Sequence, residues 1–296
     1  VKETMKMSEN PINRVGVIGC GLMGSGIAEV CARAGLDVMV REANAAAMEA
    51  GQKRLIGSLD RALGANKITE EERDAAFNRL SFTTDFAELA DRQLVVEAVI
   101  EDETTKTDVF AQLDRVISES DAILATNTSS IPVMKLGMAT NRPEQVVGVH
   151  FFNPVPVLRL VELVPSLLTS QNTISRAVDF AEHTLNKRVI RSNDRAGFIV
   201  NALLVPYILS AVRMMESGYA SAEDIDLGMV EGCAHPMGPL RLADLIGLDT
   251  IVAIAESLYT EFKEPLYAAP PLLSRMVDAG LLGRKAGRGF YDYTKK

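Results

Sequence analysis

The stretch RVGVIGCGLMGSGIAEVCARAG, Arg14 to Gly35, leaves little freedom in how the chain around it folds. RVGVIG is a β-branched run suited to a buried parallel strand. Gly19, Gly21 and Gly24 follow in a GxGxxG pattern. Ile27, Val30, Cys31 and Ala34 then recur at helical spacing, and Gly35 is a helix stop. A glycine-rich turn between strand and helix is the context in which this pattern binds a dinucleotide. The first glycine permits the tight turn, the second lets a pyrophosphate approach the backbone, and the third lets helix and strand pack closely. The helix start then offers free N–H groups to phosphate. Gly19, Gly21, Leu22, Met23 and Gly24 are therefore candidate cofactor contacts.

The acid that binds the adenosine ribose in such a unit lies at the end of the second strand, about 20 residues on. Glu42 stands there. Its carboxylate can accept hydrogen bonds from both ribose hydroxyls and would repel a 2′-phosphate, so NAD is expected rather than NADP. Arg41 beside it is the one neighbour that could accept that phosphate instead.

Beyond LDVMVRE, strands are expected in RLSFTT, RQLVVEAV, DAILATN, QVVGVHF, LRLVELV and RVI. Helices are expected over Asn44–Ala65, from Thr69, over Glu103–Ser118 and over Thr173–Leu185. Strands alternating with helices predict βαβ units. From Phe198 onward only apolar helices separated by Gly and Pro turns are legible. The expected fold is α/β: an N-terminal Rossmann-type, mostly parallel sheet with helices on both faces, residues 1–192, followed by an all-α C-terminal domain, residues 193–296.

Composition removes some classes of function. A net charge of −8 argues against a general nucleic-acid binder. Cys20, Cys31 and Cys233 form no metal-ligand spacing, and a scattered odd set suggests structural thiols in a reducing cytoplasm. The polar leader VKETMKMSENP lacks the apolar core of a signal peptide. The apolar stretch from Phe198 to Met215 is interrupted by Asn201, Pro206 and Arg213, so a buried or interfacial helix is expected there and not a membrane span.

Chemistry enters with HFFNPVPVLRLVEL, His150 to Leu163. A dinucleotide site makes hydride transfer the default reaction, and an alcohol oxidised that way must also lose its hydroxyl proton. A neutral histidine is a suitable base near neutral pH. Of His150, His183 and His235, only His150 ends an expected parallel strand, where ligands bind in such sheets. Glu162 sits among apolar neighbours, which is costly unless the carboxylate is paired. NPVP makes a turn between the two segments, so Glu162 can return to His150 and orient its ring. A packed histidine and a solvated edge glutamate are the competing account; beside the glycine loop, the pair is favoured.

GCGLMG, VVEAVIE, ATNTSSIP, HFFNPVPVLRLVEL, GFIVNALL, HPMGPL and GRGFYDY together resemble the 3-hydroxyacyl-CoA dehydrogenase family in order and spacing, from Arg14 to Tyr293. The likeness is greatest to its short bacterial members, which interconvert 3-hydroxybutyryl-CoA and acetoacetyl-CoA. The resemblance implies NAD as cofactor, an acyl-CoA substrate, a place in fatty-acid metabolism, and a homodimer formed through the helical domain. No metal is expected, because the sequence shows no metal-ligand constellation and the histidine does the proton transfer. By matching motif the resemblance implies His150 as base, Glu162 as its partner, Ser129 near the reacting oxygen and Asn201 as a substrate contact. Ala98, Glu101, Lys106, Asn127, Ser129, Asn153 and Lys285 are the implied cofactor contacts. Taken alone, Ser129 and Ser130 also read as caps of the segment near Ile131, Asn153 as a turn residue, and Asn201 as a helix–helix hydrogen-bond partner.

Coenzyme A requires a basic patch on an acidic chain. Arg54 and Arg61 lie seven residues apart on one expected helix face, with Ser58 between them and Lys67 beyond. The resemblance places coenzyme A here with a serine, matched by Ser58, and a lysine, whose position reads Ala65 in this chain. A dehydrogenase of free hydroxy acids with a lysine base, and a non-catalytic dinucleotide-binding protein such as a lens crystallin, are the other readings. His150 with Glu162 argues against the first and, for the second, gives no support to lost activity.

Overall fold

The protein is described from a computed structural model over residues 11–294; the leader through Asn10 lies outside them. The chain forms two compact units, Val1–Arg195 and Ala196–Lys296, which divide three residues past the expected Ser192. Residues 192–195 stay with the first unit because Ser192 donates its N–H to Leu163 O, and the Asp194 carboxylate accepts from the N–H groups of Val133 and Met134.

The first unit runs β1 (Arg14–Ile18), α1 (Leu22–Arg33), β2 (Asp37–Arg41), α2 (Ala45–Gly64), α3 (Glu70–Asn78) and β3 (Leu80–Thr83). It continues with β4 (Leu94–Glu97), α4 (Glu103–Val116), β5 (Ile123–Thr126), α5 (Val133–Gly137), β6 (Val146–Phe151), β7 (Leu160–Pro165), α6 (Gln171–Asp179) and β8 (Arg188–Arg191). The strands form one sheet in the order β3-β2-β1-β4-β5-β6-β7-β8. All neighbours pair in parallel except β6 with β7. No helix separates those two strands, and a parallel return needs a long crossover, so the short connection dictates an antiparallel pair.

Local chemistry fixes the element ends. The Asn44 side chain accepts from Ala47 N to start α2, and Thr69 with Glu72 forms a capping box on α3. Val146–Phe151 is buried throughout, as a central strand should be. Ile27 and Cys31 of α1 and Leu55 and Leu59 of α2 share a core with Val15 and Val38. Burial pushes the Cys31 thiol up to about 12, so it behaves as an inert core side chain. The expected helix Thr173–Leu185 instead changes after Asp179 into a wider π turn, Phe180–Thr184, in which Phe180 and Ala181 are both buried.

The second unit holds α7 (Val200–Glu216), α8 (Ala222–Cys233), α9 (Pro239–Ile246), α10 (Leu248–Phe262) and α11 (Pro271–Asp278). Ile208, Leu209, Val212, Leu240, Leu248, Ile251, Leu258 and Leu273 form its core. The buried Asp244 carboxylate accepts from Phe290 N, Tyr291 N and Tyr293 Oη, which folds the GRGFYDY arm back onto α9. No helix among the described residues is long and apolar enough to cross a membrane.

Candidate active site

The glycine loop closes tightly. Gly19 has φ +88°, and a Cβ there would lie 2.8 Å from Ala98 O. A Cβ on Gly24 would meet Gly19 O at 1.8 Å, so the start of α1 can approach β1 only through glycine. A Cβ on Gly21 would meet nothing within 4 Å. Gly21 also precedes α1 without a side-chain cap, so open space faces the uncapped helix start. These residues fit a dinucleotide pyrophosphate. Leu22 is exposed at this rim and Met23 is half-buried.

Glu42 follows β2 and reaches back to this loop: Oε1 accepts from Cys20 N, and Oε2 from Ala43 N at 3.1 Å. Its carboxylate thus sits beside the phosphate turn, where a ribose acid belongs. Arg41 is turned to other work. Its guanidinium lies 3.9 Å from the Phe86 ring centroid, and Nε donates to Thr84 O.

At the far side of the strand crossover, β6 and β7 place His150 opposite Glu162 in register. His150 Nδ1 lies 2.8 Å from Glu162 Oε2, and His150 Nε2 lies 3.1 Å from Ser129 Oγ. His150 is 4% exposed and Glu162 is fully buried. A carboxylate only accepts, so Nδ1 carries the proton and Nε2 presents a lone pair, to which the Ser129 hydroxyl donates. The Phe152 ring packs against the imidazole at 4.7 Å. The geometry holds the imidazole in one tautomer, with Nε2 beside a hydroxyl.

Ser129 is held from behind. Glu101 Oε1 accepts from Thr128 Oγ1, Ser129 N, Ser130 N and Ser130 Oγ. Burial alone would raise the Glu101 pKa, but the Lys106 charge and these hydrogen bonds outweigh it and hold the carboxyl below its usual range. Lys106, almost fully buried on α4, lies 2.6 Å from Glu97 Oε1 and 3.3 Å from Glu101 Oε2. Neither Ser129 nor Ser130 caps α5; Asp194 does so from some 60 residues away. Sequence reasoning passed over Thr128, Asp194 and Glu97. Glu97 alone carried a signal, an acid closing the apolar run LVV, the same cost of burial that marks Glu162.

The remaining expected residues are dispersed. Asn127 Oδ1 accepts from Phe151 N at 2.8 Å, tying the loop after β5 to the end of β6. Ala98 lines the glycine turn, and Asn153 is exposed before a cis Pro154. On α2, Arg54 Nη1 donates to Cys20 O at 2.6 Å, so that guanidinium braces the glycine loop. Ser58 is half-buried, and Arg61 and Lys67 are exposed. In the second unit, Asn201 lies half-buried in the first turn of α7, and Lys285 pairs with Asp249 at 2.6 Å.

The fold is that of a dinucleotide-binding oxidoreductase with a helical second domain. Residues 14–195 match the family model described as 3-hydroxyacyl-CoA dehydrogenase, NAD binding domain, and residues 197–293 match that of the C-terminal domain. The chain belongs to the 3-hydroxyacyl-CoA dehydrogenase family and is an oxidoreductase acting on a CH–OH group. It is 59% identical over 282 residues to a 3-hydroxybutyryl-CoA dehydrogenase of Mycobacterium tuberculosis, covering 95% of this chain and 99% of that one. It is 44% identical to a probable 3-hydroxybutyryl-CoA dehydrogenase of Bacillus subtilis, covering 96% and 99%. Among solved structures, that of M. tuberculosis FadB2 superposes with a TM-score of 0.95 at 58% identity, covering 96% of this chain and 100% of that one. The (S)-3-hydroxybutyryl-CoA dehydrogenase PaaH1 of Ralstonia eutropha gives a TM-score of 0.89 at 44% identity, with the same coverage.

Proposed function

We propose that this chain interconverts L-3-hydroxybutyryl-CoA and acetoacetyl-CoA with NAD, using His150 as acid and base. The observation that carries this reading is the buried His150–Glu162 pair, with Nε2 3.1 Å from the Ser129 hydroxyl. In oxidation, His150 Nε2 accepts the proton of the substrate hydroxyl, and the charge gained by the ring is met by Glu162. In reduction, the same nitrogen returns the proton to the ketone oxygen. Ser129 donates a hydrogen bond at that oxygen, and Asn201 contributes an amide to the substrate. When bound, the nicotinamide cofactor accepts or supplies the hydride.

The cofactor is held by Gly19, Gly21, Leu22, Met23, Gly24, Glu42, Ala98, Glu101, Asn127, Asn153 and Lys285, with Lys106 acting behind Glu101. Coenzyme A phosphates meet Ser58, Arg61 and Lys67, while Arg54 serves chiefly the glycine loop. Exposed Leu203, Tyr219 and Leu227 on the helical unit support a homodimer formed there.

The test is NADH consumption with acetoacetyl-CoA, with free acetoacetate as control. Turnover of the thioester alone is expected. Equal turnover of acetoacetate would return the chain to the free hydroxy acid class, and NADH binding without any turnover would favour the non-catalytic reading. Cofactor choice has its own expected result. Glu42→Ala removes the carboxylate that meets the ribose hydroxyls and repels a 2′-phosphate, so the NADH-over-NADPH preference in kcat/KM should fall by about tenfold, the worth of one charge-assisted hydrogen bond. An unchanged ratio would assign the preference to another residue.

A further inference from the structure

We infer that Glu97 is a positioning residue for the proton-transfer site, acting on His150 through Ser129. This inference rests on the functional reading above. Glu97 closes β4 and is fully buried. A buried carboxylate is expensive unless its oxygens are all engaged, and here they link two loops. Oε1 accepts from Lys106 Nζ at 2.6 Å and from Val99 N at 2.7 Å. Oε2 accepts from Thr126 Oγ1 at 2.7 Å, on the neighbouring strand β5.

Both arms end on the same turn. Through Lys106, Glu97 holds the ammonium that lies 3.3 Å from Glu101 Oε2, and Glu101 Oε1 accepts from Ser129 N at 2.8 Å. Through Thr126, whose Oγ1 also accepts from Thr128 N at 3.2 Å, Glu97 holds the residue before Ser129. Thr128 Oγ1 in turn donates to Glu101 and accepts from Ile131 N. Ser129 is thus fixed by two hydrogen-bonded routes from one carboxylate, and its hydroxyl is the group 3.1 Å from His150 Nε2.

The charges alternate in sign along this chain: Glu97 and Lys106, both buried, then Glu101, whose side chain is about a third exposed. Neutralising Glu97 leaves Lys106 to a single carboxylate and draws Glu101 toward it, away from the Ser129 turn. A displacement on the order of 1 Å at a reacting group lowers turnover by about 100-fold. Both arms of Glu97 arrive at the Ser129 turn, and that turn carries its effect to His150.

The test is a double-mutant cycle with a spectroscopic readout. Glu97→Gln is expected to lower kcat with acetoacetyl-CoA and NADH by about 10- to 100-fold, with little change in the KM for acetoacetyl-CoA. In a Ser129→Ala background the same change should have almost no further effect, because residues acting as one unit are non-additive. In parallel, the ring resonances of His150, assigned among the three histidines by a His150 variant, should shift in Glu97→Gln as the Ser129 contact weakens. A full loss of kcat in the Ser129→Ala background would overturn the proposal, as would an unmoved His150 resonance. If Glu97→Gln does not fold, Thr126→Val cuts one arm without disturbing the ion pair, and the same cycle and resonance apply. If the wild-type enzyme turns over no acyl-CoA, the functional reading fails, while the resonance still decides whether Glu97 governs the Ser129–His150 contact.

Discussion

His150→Asn should lower kcat in both directions by about 10²- to 10⁴-fold, the range typical of losing a positioned general base, while NADH binding is little changed. Asparagine is the informative replacement. Its amide stands at the level of Nδ1 and keeps a donor for the Glu162 carboxylate, which lies 2.8 Å from the native ring nitrogen, so a buried charge is not stripped of this partner. It cannot take up a proton near neutral pH. The glycine loop and Glu42 belong to other elements of the sheet, so cofactor affinity measured by NADH fluorescence should survive. Retained turnover would remove His150 from the proton-transfer role. Loss of both turnover and NADH binding would point to a structural collapse of β6, not to missing chemistry.

The legible and illegible parts of this site follow from the range of the interactions involved. The glycine loop was readable because its constraints are local: the close approaches at Gly19 and Gly24 involve strand and helix residues within one turn, plus Ala98. The His150–Glu162 pair was readable for a similar reason. A short connection between two apolar strands forces them antiparallel, and that brings the two positions into register. Long-range partners were not readable. Seven-residue spacing puts Arg54 and Arg61 on one face of α2, yet nothing in it says that Arg54 would spend its guanidinium on Cys20 O, some 34 residues away in the chain. Likewise the serines of NTSS look like helix caps, because the competing cap, Asp194, arrives from the far end of the unit. Glu97 lies between these cases. Its burial was legible from LVVE, while its partners on α4 and β5 needed the fold.

Glu162→Gln should cost nearly as much as loss of the histidine, by a different route. The carboxylate can only accept, so it fixes the proton on His150 Nδ1 and leaves Nε2 to take up the substrate proton. An amide in its place can turn its NH₂ toward Nδ1 and favour the opposite tautomer, whose Nε2 already bears a proton. It also removes the charge that meets the imidazolium. In the serine-protease triad the corresponding carboxylate-to-amide change costs about 10⁴-fold in kcat with the geometry intact, and a loss on the order of 10²- to 10⁴-fold is expected here. Stability should move the other way or not at all, since a neutral isostere in a fully buried position avoids the desolvation of a charge. The measurement is kcat beside a thermal melt on the same preparation. A low kcat with an undiminished melting temperature is the expected result. Wild-type turnover would make Glu162 a packing partner only. A fall in kcat that tracks a fall in melting temperature would do the same, and Glu162→Asp, which keeps the acceptor but shortens the reach, should then fail to recover any activity.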